Sequence, residues 1–215
     1  MNKFIDHTLL KPDATDAMID QLCLQYLQNK FATVCVSPYW AEYIQNYMKD
    51  IHVCTVIGFP HGNTSIRSKT HDINICPEMV KEVDIVINVG AVKSESWRMV
   101  ESEIQSVSSA AQDSNCISKY IVEIGYLTDE ELFKIADLLI KYKIDFIKTC
   151  TGYGPRNVTV EDIKKIKAYV GDRIKIKASG GITSLSFAQD LISAGADRLG
   201  CSSSVSIMKE FNLLS

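Results

Sequence analysis

Two lysines end short β-type runs that are spaced like neighbouring strands. Lys148 closes Asp145-Phe146-Ile147-Lys148 and precedes Thr149-Cys150-Thr151-Gly152, and Lys177 closes Ile174-Lys175-Ile176-Lys177 and precedes Ala178-Ser179-Gly180-Gly181. Counted from 148 to 177 they lie 29 residues apart, about one strand–helix unit of a repeating βα chain. A lysine that attacks a carbonyl must do so as the free amine, yet an ordinary lysine of pKa ~10.4 is neutral in only ~0.04% of molecules at pH 7. A second ammonium ~4 Å away, at an effective dielectric of ~20, costs the charged form about 4 kcal/mol. That enlarges the amine fraction roughly a thousandfold, so the pair predicts imine chemistry. The ordinary alternative has both lysines reaching from strand ends into solvent. It gives no reason for the Gly-Gly and Thr-x-Thr-Gly that follow them.

The chemistry needs elements that bring the two lysines to one place. Short β-type runs occur at residues 3–6, 32–36, 52–58, 83–88, 119–124, 145–148, 173–178 and 198–200. Helical signals lie between them. Thr15-Asp16 opens a run with Met18, Ile19, Leu22 and Cys23 on one face. Thr128-Asp129-Glu130-Glu131 is a capping box, Thr159-Val160-Glu161-Asp162 opens a further helix, and Ser184 precedes one that Gly195 terminates. With no long linker and no low-complexity stretch, residues 1–215 read as a single (β/α)₈ TIM barrel domain. A doubly wound sheet is the alternative. The barrel is preferred because Asp6-His7-Thr8, Gly58-Phe59-Pro60, Asn88-Val89-Gly90 and both lysines fall at strand C-termini, which form one ring at a barrel's catalytic face.

Asp84 sits within the apolar run Val83-Asp84-Ile85-Val86-Ile87-Asn88, where an unpaired charge is costly. It shares strand parity with Asn88, so an Asn88 at the barrel mouth places Asp84 deeper inside. We read Asp84 as the acid/base that carbonyl–amine chemistry requires. Glu123 reads equally as a counter-ion of Lys148, Lys175 and Lys177, and Asp6 as a second carboxylate of the same network. His61 and Cys35 read as loop and packing residues near the mouth, and Trp40 and Trp97 as packing or interface residues. Gly180-Gly181 and Gly200-Cys201-Ser202-Ser203 follow the seventh and eighth strands, where barrels commonly bind phosphate. Each glycine pair alone is an ordinary tight turn; the two together, in these places, point to an anion site with Thr151 and Gly152 nearby.

Composition excludes other classes. The chain is 46% apolar and 23% charged, with net charge −3, so it has no basic surplus for nucleic acid. No apolar stretch approaches a membrane span, and the start resembles no signal peptide, which leads us to expect a cytoplasmic protein. Seven scattered cysteines without Cys-x-x-Cys and four histidines without ligand spacing predict neither a disulfide framework nor a metal.

Taken together these residues resemble the deoxyribose-phosphate aldolase family of class I aldolases. The likeness runs through Ile5-Asp6-His7-Thr8-Leu9-Leu10-Lys11-Pro12, Thr33-Val34-Cys35-Val36 and Val56-Ile57-Gly58-Phe59-Pro60-His61-Gly62. It continues through residues 83–90, Lys148-Thr149-Cys150-Thr151-Gly152 and Lys177-Ala178-Ser179-Gly180-Gly181-Ile182. The resemblance implies a TIM barrel that reversibly cleaves 2-deoxy-D-ribose 5-phosphate to acetaldehyde and glyceraldehyde 3-phosphate. It implies Lys148 as the Schiff-base lysine, Lys177 as the lysine that tunes it, and Asp84 in the proton relay, with no cofactor or metal. It also implies a phosphorylated sugar or aldehyde as substrate; a homo-oligomer is compatible with it. The chain departs from the family pattern in four places. Ile182-Thr183-Ser184 stands where an arginine is common, and Tyr153 where some members have lysine. Gly154-Pro155-Arg156-Asn157 replaces a glycine-rich continuation, and Glu78-Met79-Val80-Lys81-Glu82-Val83 lacks Gly-Ala-Asp-Glu. Loss of the basic residues bears on phosphate preference, and we expect a moderate one.

Overall fold

The computed structural model describes residues 1–48, 50–76 and 80–214. Strands and helices alternate as β1 (Ile5–Leu9), α1 (Asp16–Asn29), β2 (Thr33–Val36), α2 (Pro38–Tyr47), β3 (Val53–Ile57), α3 (Ile66–Asn74) and β4 (Val80–Val86). The order continues with α4 (Val89–Lys93), α5 (Trp97–Asp113), β5 (Ile117–Ile121), α6 (Asp129–Lys141), β6 (Phe146–Lys148), α7 (Val160–Val170) and β7 (Lys175–Ser179). It ends with α8 (Leu185–Ser193), β8 (Arg198–Cys201) and α9 (Ser204–Leu214). Each strand pairs in parallel with the next, and β8 pairs back with β1, so the sheet closes into the expected barrel.

Local chemistry sets the helix starts. Thr128 accepts from the Glu131 N–H at 3.2 Å while Glu131 accepts from the Thr128 N–H at 2.8 Å, which makes the predicted capping box at α6. Thr159 and Asp162 do the same at α7, and Thr15 and Ser184 cap α1 and α8. Gly195, at φ +114°, ends the α8 unit in a conformation few other residues adopt.

Every predicted strand overlaps an observed one with shifted ends, and the larger shifts fall at β1, β4 and β5. Residues 2–4 form a 3₁₀ turn, and β1 instead runs on through His7 and Thr8. The polar His7 is accommodated because its ring packs against Phe31 and its Nε2 meets Gln25 at 2.9 Å, outside the barrel. Strand β4 stops at Val86, since Asn88 leaves the sheet to cap α4 by accepting from the Ala91 N–H. Strand β5 stops at Ile121, and Glu123 turns the chain in the left-handed region at φ 52°. The departure at Glu78 and Met79 lies outside the described residues. No helix among the described residues is long and apolar enough to cross a membrane.

Alternation along the strands separates two interiors. Val83, Ile85, Tyr120, Ile147, Ile176 and Leu199 join the large apolar core that the helices cover. The opposite faces carry Glu82, Asp84, Lys119, Lys148, Lys177, Arg198 and Asp6 into the barrel, where the only apolar cluster of buried side chains among the described residues is Cys35, Cys54 and Val56. This barrel is filled by ions rather than by branched aliphatics.

Candidate active site

Strand register brings the two predicted lysines together: Lys148 on β6 is paired with Lys177 on β7, which is paired in turn with Arg198 on β8. On the other side of the barrel, Asp84 on β4 is paired with Lys119 on β5. Lys148 Nζ donates to Asp84 Oδ2 at 2.7 Å, and Lys177 Nζ donates to the same oxygen at 2.7 Å. Lys177 also lies 2.5 Å from Asp6 Oδ2. Lys119 reaches Asp84 Oδ1 at 2.9 Å and Glu82 Oε2 at 2.7 Å, and Arg198 reaches Asp6 Oδ1 at 2.5 Å.

Every carboxylate of this cluster has cationic neighbours. Burial opposes ionisation of Asp84, but Lys119, Lys148 and Lys177 outweigh it and hold its carboxyl well below the usual range. Burial likewise opposes ionisation of Asp6, and Lys177, Lys119 and Arg198 overcome it, keeping this carboxyl low as well. Burial disfavours the ammonium of Lys177, yet Asp6 and Asp84 raise its pKa above the ordinary value. Lys119 is held charged in the same way, with Asp84 the strongest of its partners. Direct repulsion between two lysines is therefore an incomplete picture, because a shared carboxylate lies between them.

Sequence reading missed Lys119, Glu82, Arg198 and Cys54. The signal was present for two of them. Lys119 interrupts Ile117-Ser118-Lys119-Tyr120-Ile121 as Asp84 interrupts its own strand, and Glu82 shares Asp84's parity. Cys54 donates to Asp84 Oδ1 at 3.2 Å and accepts from Lys119 at 3.1 Å. Cys35, Cys54 and Asp84 also bring three potential metal-ligand atoms within 4.8 Å of one another. Both Asp84 oxygens already receive ammonium groups, which take the positions a cation would need.

Above the cluster lies a cavity of about 300 Å³ at the C-terminal mouth of the barrel. Lys148 opens onto it, and Thr151, Gly152, Gly180, Gly181, Gly200 and Ser202 line it. Asp6, Asp84 and Lys177 lie beneath, fully buried. Ser203 is next to the cavity, where its carbonyl accepts the first bond of α9. Gly180 and Gly181 take φ +98° and +76°, and a Cβ on Gly181 would fall 2.6 Å from Asn157. Gly200 has a second role, since a Cβ there would lie 3.1 Å from Lys177 Cε, and its absence gives that side chain room.

Glu123 is placed differently from expectation, and Arg156 is engaged elsewhere. Among the described residues Glu123 pairs with Thr151 and not with a lysine: its Oε2 accepts from the Thr151 N–H at 3.1 Å and from the Thr151 hydroxyl. The turn at Glu123 carries the carboxylate over the end of β6 instead of into the barrel. Arg156, the nearest basic residue in the sequence, is committed to a two-pronged pair with Asp162 at 2.6 and 2.9 Å.

Known proteins share this architecture. The model of the DeoC/LacD family aldolases matches residues 1–205. A protein of Carboxydothermus hydrogenoformans named deoxyribose-phosphate aldolase is 45% identical over 212 residues, covering 96% of this chain and 93% of its own. Among solved structures, one described as "QR15, an Aldolase" superposes with a TM-score of 0.93 at 38% identity, covering 99% of this chain and 96% of that one. A deoxyribose phosphate aldolase from Aeropyrum pernix, described as having a unique tetrameric structure, superposes with a TM-score of 0.91 at 26% identity, covering 100% and 92%. With a family model matched over almost its whole length and a relative 45% identical, this chain belongs to the DeoC/LacD family of aldolases.

Proposed function

We propose that the protein is a Schiff-base aldolase that reversibly cleaves 2-deoxy-D-ribose 5-phosphate to acetaldehyde and D-glyceraldehyde 3-phosphate, in deoxyribose phosphate catabolism. The observation that carries this reading is the shared oxygen: Asp84 Oδ2 lies 2.7 Å from both lysine nitrogens, directly below a cavity rimmed by glycines. The names of the relatives support the substrate.

A count of buried charge explains why Lys148 is the nucleophile. The ion pairs join Asp6, Glu82 and Asp84 to Lys119, Lys148, Lys177 and Arg198, three acids to four bases. Buried excess charge is costly, and the cluster balances when one base is neutral. Arg198 stays charged at any accessible pH. Lys119 and Lys177 each meet more than one carboxylate, whereas Lys148 meets Asp84 alone and borders the cavity. Lys148 is the base that leaves the fewest ion pairs behind when it turns to a substrate.

As an amine, Lys148 adds to the C1 aldehyde, and loss of water leaves an iminium ion. Asp84, hydrogen-bonded to that nitrogen, returns and removes the protons these steps require, with Lys177 holding the carboxylate in place. The iminium draws the electron pair of the C2–C3 bond into an enamine while the C3 hydroxyl proton passes to the relay. Protonation and hydrolysis then release acetaldehyde. The imine is the electron sink, so the route calls for no metal. The phosphate sits against Gly180, Gly181 and the N-terminus of α9 near Ser202, where backbone N–H groups bind anions. The protein acts in the cytoplasm on small molecules. Assembly of identical copies, as in the Aeropyrum pernix relative, is supported by the exposed Tyr39 and Tyr47 of α2.

Borohydride reduction in the presence of acetaldehyde tests the reading. The expected result is a single reduced adduct on Lys148, found by peptide mass spectrometry and absent from Lys148→Ala. A full-yield adduct on another lysine, with Lys148→Ala still active, would overturn it.

A further inference from the structure

The mouth of the barrel holds a second chamber. It has a volume of about 220 Å³ and is lined by Pro60, His61, Val86, Val89, Glu123 and Tyr126. Thr151 and Tyr153 line both this chamber and the one that contains Lys148, so these two side chains form the wall between them. Thr151 is fixed by Glu123, and its hydroxyl accepts from the Tyr153 N–H at 3.0 Å, which sets the direction in which Tyr153 leaves the loop. Gly154 must lack a side chain there, since a Cβ would lie 2.5 Å from Glu123 Oε1.

From this anchored turn Tyr153 crosses the mouth. Its hydroxyl donates to the carbonyl of Leu10, after β1, at 3.0 Å. Its ring meets Phe59, after β3, edge to face with centroids 5.5 Å apart. One side chain on the loop after β6 thus touches the loops after β1 and β3. The wall is a thin one. Tyr153 is half exposed and held by one hydrogen bond and one ring contact, whereas Thr151 behind it is tied to a buried carboxylate. The second chamber is apolar on its Val86 and Val89 side, suited to the body of a larger aldehyde.

We propose that Tyr153 is a specificity-determining partition, which separates the Lys148 chamber from a second chamber and thereby excludes aldehydes whose apolar bulk would extend toward Val86 and Val89. The inference rests on the aldolase reading above and adds to it where the substrate's excluded bulk would go. The ring of Tyr153, rather than any charge, sets the limit.

The experiment compares borohydride trapping rates of acetaldehyde and phenylacetaldehyde in the wild-type protein, in Tyr153→Ala and in Tyr153→Ala/Val89→Phe. The readout is the ratio of the two rates, which general damage to Lys148 would leave unmoved. Tyr153→Ala should raise the phenylacetaldehyde-to-acetaldehyde ratio at least tenfold. Val89→Phe refills the second chamber and should return the ratio to within threefold of wild type. An unchanged ratio in Tyr153→Ala overturns the partition. A gain that survives Val89→Phe overturns it too, because a loosened mouth and not the second chamber would then admit the larger aldehyde. Absence of any acetaldehyde adduct on wild-type Lys148 would instead show the aldolase reading itself to be wrong, and this inference would fall with it.

Discussion

Lys148 and Lys177 are register partners on adjacent strands, and their side-chain nitrogens share one acceptor, Asp84 Oδ2, at 2.7 Å each. The sharing places one carboxylate between the two lysines. Lys177, held charged by Asp6 and Asp84, occupies the same Asp84 oxygen that Lys148 uses, so the two side chains compete for one acceptor. Asp6 keeps Lys177 charged, and Arg198 together with Lys177 keeps Asp6 ionised.

Lys177→Leu should therefore move the acidic limb of the pH–rate profile to higher pH. Without Lys177 the cluster has three acids and three bases, so it no longer holds a base in excess. We expect activity at pH 7 to fall by roughly tenfold or more, with partial recovery toward pH 9. The kcat/KM profile from pH 5 to 10 checks this, and an unmoved acidic limb would remove Lys177 from the tuning role.

Asp84→Asn should lower kcat by roughly 10²–10⁴, the usual worth of a positioned acid–base group. It also removes a charge that three lysines contact, so stability should fall by a few kcal/mol, about 3–5 being common for a broken buried pair. Measuring kcat per folded molecule separates the two effects. A variant that is unstable but works normally when folded would leave Asp84 a structural counter-ion only.

Acid stability should report Asp6. Its carboxyl is held below the usual range, so the stability it contributes is complete above the unfolded value of ~3.9 and is lost as pH falls toward the lower folded value. In Tm scans from pH 7 to pH 2, Asp6→Asn should lie below wild type at neutral pH, and the gap should close below about pH 4. A gap that stays constant with pH would mean that the substitution acts through packing rather than through charge.

Phosphate preference should survive without an arginine after Gly181. A net gain of one charge-assisted bond from a backbone N–H group, about 1.5–3 kcal/mol, supports a moderate preference on the order of 10–100-fold for 2-deoxyribose 5-phosphate over 2-deoxyribose. Ser202→Asp places a negative charge on the cavity rim and should reduce that ratio by at least roughly tenfold. Equal use of the two sugars by wild type, or a ratio indifferent to Ser202→Asp, would favour an unphosphorylated substrate.

Much of this molecule was legible in the sequence because the signals are local. Strand and helix alternation, the caps at Thr15, Thr128, Thr159 and Ser184, and glycines at the ends of strands depend on neighbours a few residues away. Lys148 and Lys177 stood out by their strand-end spacing and the residues that follow them, and Asp84 because a charge inside a strand is costly unless something far off answers it. What answers it was not legible. Which strand faces which across a closed barrel sets the partners of Asp84, and Lys119 lies 35 residues away while Lys177 lies 93 away. Parity alone did not fix Glu123, because a left-handed residue after β5 turned its carboxylate from the barrel axis to Thr151. Arg156 meets Asp162 only because the start of α7 brings that carboxylate to it. Tyr153 read only as a departure from a pattern, and its span from Leu10 to Phe59 exists because barrel closure brings three loops to one mouth. Spacing along the chain placed charged groups at the ends and in the interior of strands; closure of the sheet decided which of them touch, since contacts across a barrel join residues that no sequence period links.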